Sequence, residues 1–256
     1  MKVYFISKRE RLTVCVVGIC LLIFATILFL NLNSMDTVTA SGSEKLLPIY
    51  KVGTDEQKVA ISFDASWGAT RTGKILDTLD EFEIKTTFFL VNIWLEDYPD
   101  KAKEIVARGH EIGLHSVSHP DFTRLSEEQI RKELLENQSM IKDITGFEAN
   151  LFRPPFGAYN NRVIQICNEL NIYPIQWSID SLDWKSISVA DMVQRVTRAE
   201  AGDIVLFHND GANTPEALIE ILKNFQERGL RVVPISELIY KDDYYIDVNG
   251  IQHRKK

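Results

Sequence analysis

The chain has 256 residues, of which 45% are hydrophobic, and its formal net charge is −7. This length can bury one full core, but it excludes two large domains plus an anchor. Residues 1–30 hold four basic residues against one acidic residue, so the rest of the chain is acidic. An acidic body argues against nucleic acid as a partner, and we expect a monomer.

Residues 12–30 form an uncharged apolar run of 19 residues, about the length that spans a bilayer as a helix. Basic residues precede this run, so the positive-inside rule predicts a cytoplasmic segment at residues 1–11 and a body outside the cell. We therefore expect a single-pass protein of the cell membrane. The alternative is a cleaved signal peptide, because a small-residue site ends at Ala40, and the body would then be secreted. Residues 31–56 are polar and predict a linker.

From residue 58 onward, short apolar runs typical of buried strands alternate with helical spacing. About seven such βα units predict a parallel sheet that is covered on both faces or closed into a barrel. In that architecture the functional site lies at the carboxyl ends of the strands. The predicted domain covers residues 57–240, and a polar, loosely ordered tail follows at 241–256. Strands are predicted at 59–63, 86–91, 111–114, 173–179, 203–207 and 230–233, and helices at 70–82, 98–108, 126–145, 161–170, 189–199 and 214–228.

His115 and His119 lie four residues apart at the end of an apolar run. This spacing lets two imidazoles bind one divalent ion, although an isolated pair more often caps a strand and contacts solvent. Other polar side chains also follow predicted strands, which favours a metal-assisted hydrolase over a solvent-facing pair. These side chains are Asp64, Arg153, Asp180, Asp183 and His208.

Five motifs in order resemble the polysaccharide deacetylase family, the NodB-homology domain of carbohydrate esterase family 4, over residues 57–240. They are residues 62–68 (SFDASWG), 115–119 (HSVSH), 153–157 (RPPFG), 180–184 (DSLDW) and 204–209 (IVLFHN). The first motif, on an exported domain, is similar to that of a sporulation-associated subgroup.

The resemblance implies a distorted (β/α)7-type barrel that removes acetyl groups from N-acetylhexosamine in a cell-wall glycan such as peptidoglycan or a chitin-like polymer. It implies a divalent metal, with zinc as the first choice, bound by His115 and His119. The implied catalytic roles are a base at Asp64, its orienting cation at Arg153, an acid at His208, the carboxylate that tunes this acid at Asp183, and an oxyanion-binding N–H at Phe156. Trp67, Trp184 and Tyr159 are expected to contact the glycan, and Trp177 is expected in the core.

One position departs from the family pattern. The family commonly has two adjacent aspartates in the first motif, and the second one is a metal ligand, whereas this chain has Ala65. A catalytic zinc site usually has three protein ligands, so we expect the metal to be weakly held. The leading hypothesis is therefore a metal-dependent N-deacetylase. The alternatives are a glycan-binding or scaffold protein that lost catalysis, and an O-acetyl esterase.

Overall fold

The computed structural model describes Thr26 and residues 45–255. The chain divides into two units, Met1–Glu44 and Lys45–Lys256. The predicted membrane span at residues 12–30 lies outside the described residues, apart from Thr26, which is helical. Within the described part, no helix has both the length and the apolar character needed to cross a membrane.

The core of the second unit is a parallel sheet in the order β6-β5-β4-β3-β2-β8-β7, with β9 also pairing with β2. Its strands are β2 (Lys58–Ala65), β3 (Thr87–Leu90), β4 (Glu111–Leu114), β5 (Leu151–Phe152), β6 (Tyr173–Pro174), β7 (Ile179–Asp180), β8 (Ile204–His208) and β9 (Arg231–Val233). Every residue of β2 after Lys58 is buried, as expected for a strand covered on both faces. The parallel βα architecture predicted from the apolar runs is confirmed. The single strand predicted at 173–179 was wrong, because this segment forms β6 and β7 at opposite ends of the sheet.

The barrel is only half closed by strands. Within residues 45–255, the end strands β6 and β7 do not pair with each other. β6 ends at Pro174, which has no N–H with which to extend the ladder. The segment before β2 lies at this gap, where Ile49 bridges Ile175 and Lys51 bridges Asp203.

Helices cover the sheet where the sequence pattern predicted them, and one further helix, Asn92–Asp97, was not predicted. The longest helix of residues 45–255, α4 (Glu127–Thr145), begins after Ser126 with the predicted capping box to Gln129 and ends at Gly146, whose φ of 73° suits glycine. The helices are α1 (Thr72–Glu81), α2 (Asn92–Asp97), α3 (Pro99–Ala107), α4 (Glu127–Thr145), α5 (Asn161–Glu169), α6 (Val189–Val196), α7 (Thr214–Glu227) and α8 (Ile235–Leu238).

A second, three-stranded sheet has the order β1-β11-β10 and joins β1 (Lys51–Val52) to β10 (Tyr244–Ile246) and β11 (Ile251–Arg254). The prediction of a loosely ordered tail was therefore wrong. The buried Gln252 side chain bonds both the N–H and the carbonyl of Tyr240, and these contacts order the tail. β1 lies within the segment predicted as linker, and the domain boundaries at residues 57 and 240 stay predictions.

Candidate active site

The carboxyl ends of the parallel strands surround a cavity of about 760 Å³. Most of the residues singled out in the sequence line it together, as the strand-end rule predicts. Arg153 does not line the cavity but lies buried beside Asp64. Tyr159 does not line it either, and its hydroxyl lies 3.0 Å from that of Tyr50. The candidate site residues that line the cavity are Asp64, Trp67, His115, His119, Phe156, Asp180, Asp183, Trp184 and His208.

Asp64, near the end of β2, is paired with Arg153, which follows β5. The Nη1 atom of Arg153 donates a 2.8 Å hydrogen bond to Oδ1 of Asp64, and its Nη2 donates to the carbonyl of Gln176. The guanidinium carbon lies 4.2 Å from the ring centroid of Phe89, so packing and hydrogen bonds both hold it in place. Burial, the largest single effect, acts to raise the pKa of Asp64. The charge and hydrogen bond of Arg153, together with His115 and His208, outweigh it and keep this pKa below its usual value.

The two predicted metal ligands lie together. The Nδ1 atom of His115 lies 2.8 Å from the carbonyl oxygen of Arg153, and its Nε2 lies 3.7 Å from Oδ2 of Asp64. The ring of His119 is 4.9 Å from that of His115, measured between centroids. Burial lowers the pKa of both histidines, that of His119 to about 4. Both imidazoles are therefore neutral at pH 7, which leaves a ring nitrogen on each able to bind a cation.

Exposed aromatic rings flank His119 at the cavity rim. The ring centroid of Trp67 lies 5.0 Å from that of His119, and the centroid of Phe156 lies 4.6 Å away. Trp67 is 65% exposed, Phe156 is 72% exposed and Trp184 is 57% exposed, so these rings present apolar surface to solvent. Trp177 also lines the cavity, so its predicted place in the core was only partly right.

The structure separates the two aspartates that the sequence left unresolved. Asp183 accepts a 2.7 Å hydrogen bond from Nδ1 of His208 and further bonds from the His208 N–H and the Thr214 hydroxyl. Asp180 instead accepts a hydrogen bond from the N–H of Leu182 and so caps the turn between Asp180 and Leu182. Burial acts to lower the pKa of His208, but its hydrogen bond to Asp183 and the charge of that carboxylate raise it overall.

The residues present fit a divalent ion only in part. His115 and His119 provide two neutral imidazoles, and the bond of His115 to the Arg153 carbonyl orients its ring as carbonyl partners of metal-bound histidines do. Ala65 is fully buried in the apolar core and supplies no donor. Among residues 45–255, no three His, Cys, Asp or Glu side chains are grouped so as to hold a metal.

The turn after β8 contributes cavity residues to which the sequence motifs assigned no role. Asn209 and Asp210 line the cavity, and Asp210 accepts a 2.7 Å hydrogen bond from the N–H of Arg71. Their position directly after a strand was the signal that could have revealed them. Gly211 is required by packing, because a Cβ there would lie 2.7 Å from Oδ2 of Asp183.

The strand ends of this half-closed parallel barrel carry an ion-paired carboxylate and a histidine bonded to an aspartate. This arrangement is that of a hydrolase built on a (β/α) barrel. The family model described as polysaccharide deacetylase matches residues 51–175. A peptidoglycan-N-acetylglucosamine deacetylase of Bacillus cereus is 33% identical over 196 residues, which cover 74% of this chain and 92% of the relative. The chain belongs to the polysaccharide deacetylase family, as the five motifs predicted.

Two further proteins similar to this chain are an uncharacterized protein and a pseudoenzyme. The uncharacterized protein YlxY of Bacillus subtilis is 31% identical over 193 residues, which cover 75% of this chain but only 60% of the relative. The crystal structure of BA3943, a pseudoenzyme of carbohydrate esterase family 4 from Bacillus anthracis, is 32% identical with a TM-score of 0.73 and covers 81% of this chain and 73% of that one. The family thus includes both enzymes and pseudoenzymes, which is consistent with the doubt that Ala65 raises.

Proposed function

We propose that the chain is an N-deacetylase that removes acetyl groups from N-acetylhexosamine in peptidoglycan or a chitin-like glycan. One observation carries this proposal, namely that the Asp64–Arg153 pair and the His208–Asp183 pair meet at one cavity. Hydrolysis of an amide needs a base for the attacking water and an acid for the departing amine, and these pairs provide one of each.

In this proposal Asp64 is the base. Its carboxylate stays ionised at neutral pH because Arg153 stabilises the charge, and it accepts the proton of the attacking water. His208 is the acid, because its bond to Asp183 keeps the imidazole protonated until the amine departs. The backbone N–H of Phe156, at the rim of the cavity, is the proposed donor to the oxyanion.

A divalent ion, with zinc as the first choice, would be held by His115 and His119. When bound, it would supply polarisation of the amide carbonyl and acidity to a bound water. Since Ala65 leaves two protein ligands where catalytic zinc sites usually have three, we propose that the ion is held weakly.

We further propose that the protein works during sporulation. We also propose that residues 12–30 anchor the domain at the outer face of the cell membrane, because this segment has the length and the charge asymmetry of a membrane anchor. The alternative is release after Ala40. Fractionation of cells carrying the full chain tests this, because an anchored protein stays with membranes after carbonate washing and a cleaved one lacks residues 1–40.

The deacetylase proposal is tested with the Asp64→Asn and His208→Gln variants. Acetate release from peptidoglycan and from chitooligosaccharides is measured with added zinc or cobalt. His253→Gln is the matched control, because its imidazole pairs with Asp247 in the C-terminal hairpin. We expect both cavity variants to lose at least ~10²-fold in rate and the control to keep the wild-type rate. Wild-type rates in both cavity variants would refute the proposal.

A second candidate is a glycan-binding protein without catalysis. The buried methyl group of Ala65, together with the fold shared with a pseudoenzyme, favours it. Metal analysis and calorimetry discriminate between the two functions. About one bound zinc per chain at micromolar free ion together with acetate release supports the enzyme, whereas glycan binding without metal or acetate release supports the binding protein.

A further inference from the structure

The turn of residues 115–119 carries both candidate metal ligands, and one side chain of α4 accepts hydrogen bonds from its first two N–H groups. The N–H of His115 also donates to the carbonyl of Leu90 at 3.2 Å. Oδ1 of Asn137 accepts from the N–H of His115 at 2.9 Å and from that of Ser116 at 3.1 Å. Its Nδ2 donates to the carbonyl of Leu90 and to Oδ1 of Asn92. Asn137 is fully buried, so it links the turn to the end of β3 out of reach of water.

The next two N–H groups of the turn are held by Glu133, one helical turn earlier on α4. Its Oε2 accepts from the N–H of Val117 at 2.8 Å and from that of Ser118 at 3.0 Å. Its Oε1 accepts from the Ser118 hydroxyl at 2.8 Å. The last N–H, that of His119, donates to the hydroxyl of Ser116. All five successive N–H groups of residues 115–119 thus bond to side-chain oxygens.

This turn needs support from outside, because its own backbone is strained. Ser116 has a φ of 80° and His119 a φ of 55°, which is the left-handed region that residues other than glycine rarely adopt. Such conformations cost free energy and persist only where the surroundings determine them. Hydrogen bonds to a carboxylate are strong, so Glu133 is well suited to hold the turn.

We propose that Glu133 and Asn137 are positioning residues, which hold the turn of residues 115–119 and so aim the imidazoles of His115 and His119 into the cavity. Residues four apart on a helix lie on one face, so α4 presents both side chains to the turn. The inference deepens the proposed function and rests on it for the kinetic measurement only.

The test compares Glu133→Leu with Glu133→Gln and with the matched control Glu136→Leu. Leucine removes every acceptor. Glutamine keeps an oxygen that accepts from the N–H groups of Val117 and Ser118, and its amide N–H can donate to the Ser118 hydroxyl. Glu136 is exposed on the same helix, and its carboxylate lies 3.9 Å from Lys132. The measurements are amide hydrogen exchange, the ring NMR shifts of His119, thermal unfolding, kcat and KM.

In Glu133→Leu we expect the amides of Val117 and Ser118 to exchange at least tenfold faster and the ring shifts of His119 to change. We expect kcat to fall by ~10²-fold with KM nearly unchanged, since misplaced groups lose rate more than binding. Glu133→Gln should restore most of this loss, and Glu136→Leu should behave as wild type.

Unchanged exchange and ring shifts in Glu133→Leu would overturn the inference, and so would altered exchange with an unchanged kcat. An equal loss of protection across β4 and α4 would also overturn it, because the role would then be general stability. A wild-type protein that releases no acetate refutes the proposed function instead, and the exchange and ring shifts still decide the positioning role.

Discussion

Arg153 donates a 2.8 Å hydrogen bond to Asp64 in a place where both side chains are almost completely shielded from water. Two opposite charges out of water stabilise each other only while both are present, because each one alone has lost its hydration. The pair therefore links the stability of the fold to the protonation state of the proposed base.

Replacing Arg153 with methionine should destabilise the protein by ~3–5 kcal/mol, because Asp64 is left as an unpaired buried charge. Urea unfolding measures this loss. The double variant with Asp64→Asn should recover part of it, since the unpaired charge is gone. Arg124→Met is the control, because its bond to Asp121 is exposed and should contribute less than ~1 kcal/mol. A loss in Arg153→Met as small as that of the control would contradict this account.

The His208–Asp183 bond should make stability depend on pH. The pKa of His208 is raised in the folded chain, so the folded state binds more protons than the unfolded state above pH ~6.5. The stabilisation that protonated His208 contributes to the fold is fully present below that pH. It is lost as the pH rises through the pKa that His208 has in the folded chain. Unfolding free energies of wild type and His208→Gln, measured from pH 5.5 to 9, should therefore differ most at the acid end.

Asp183→Asn should lower the pKa of His208, because it removes the charge that favours the imidazolium. NMR titration of the His208 ring measures the pKa directly. If His208 is the acid, the alkaline limb of kcat/KM should move to lower pH in the same variant. An unchanged ring pKa would show that Asp183 does not tune this histidine.

Ala65→Asp should tighten zinc binding by tenfold or more, worth at least ~1.4 kcal/mol, because it restores the carboxylate that the family pattern has at this position in the first motif. Without metal the same variant should be less stable than wild type, since a buried carboxylate is left unpaired. Calorimetry and thermal unfolding with zinc and with a chelator test both effects. Ala65→Asn is the control of equal size without charge. Equal zinc affinity in wild type and Ala65→Asp would refute the missing-ligand explanation.

Trp67→Ala should weaken binding of chitooligosaccharides by roughly tenfold and change stability little, because the ring is exposed at the cavity rim. Tyr159→Phe should leave this affinity unchanged, since its hydroxyl bonds Tyr50 and the residue does not line the cavity. Calorimetry with a chitooligosaccharide measures both. A larger loss of affinity in Tyr159→Phe than in Trp67→Ala would reverse these assignments.

Most of the fold and of the candidate site could be predicted from local patterns. The apolar runs predicted a parallel sheet, and the carboxyl ends of parallel strands meet at one edge. Asp64, His115 and His208 could therefore be placed together without coordinates. The capping box at Ser126 predicted the start of α4 for a similar reason, because both of its bonds lie within four residues of sequence.

Contacts between distant segments could not be predicted in this way. Glu133 and Asn137 look like ordinary polar positions of an amphipathic helix, and no local pattern shows that they reach the N–H groups of residues 115–119. The ordered tail depends in the same way on Gln252 meeting Tyr240.

The sequence by itself determined which acidic, basic and imidazole side chains stand at the strand ends of this protein. Side-chain identity and position after a strand depend only on the local order of residues along the chain. It determined the absence of a carboxylate at Ala65 for the same reason. Only the tertiary structure decided that Asp183 rather than Asp180 bonds His208. Asp180 ends β7 and Asp183 lies in the turn after it, so the path of the turn decides which carboxylate reaches the imidazole. Hydrogen bonds act over about 3 Å, so the tertiary fold, which brings distant segments together, decides which groups become partners.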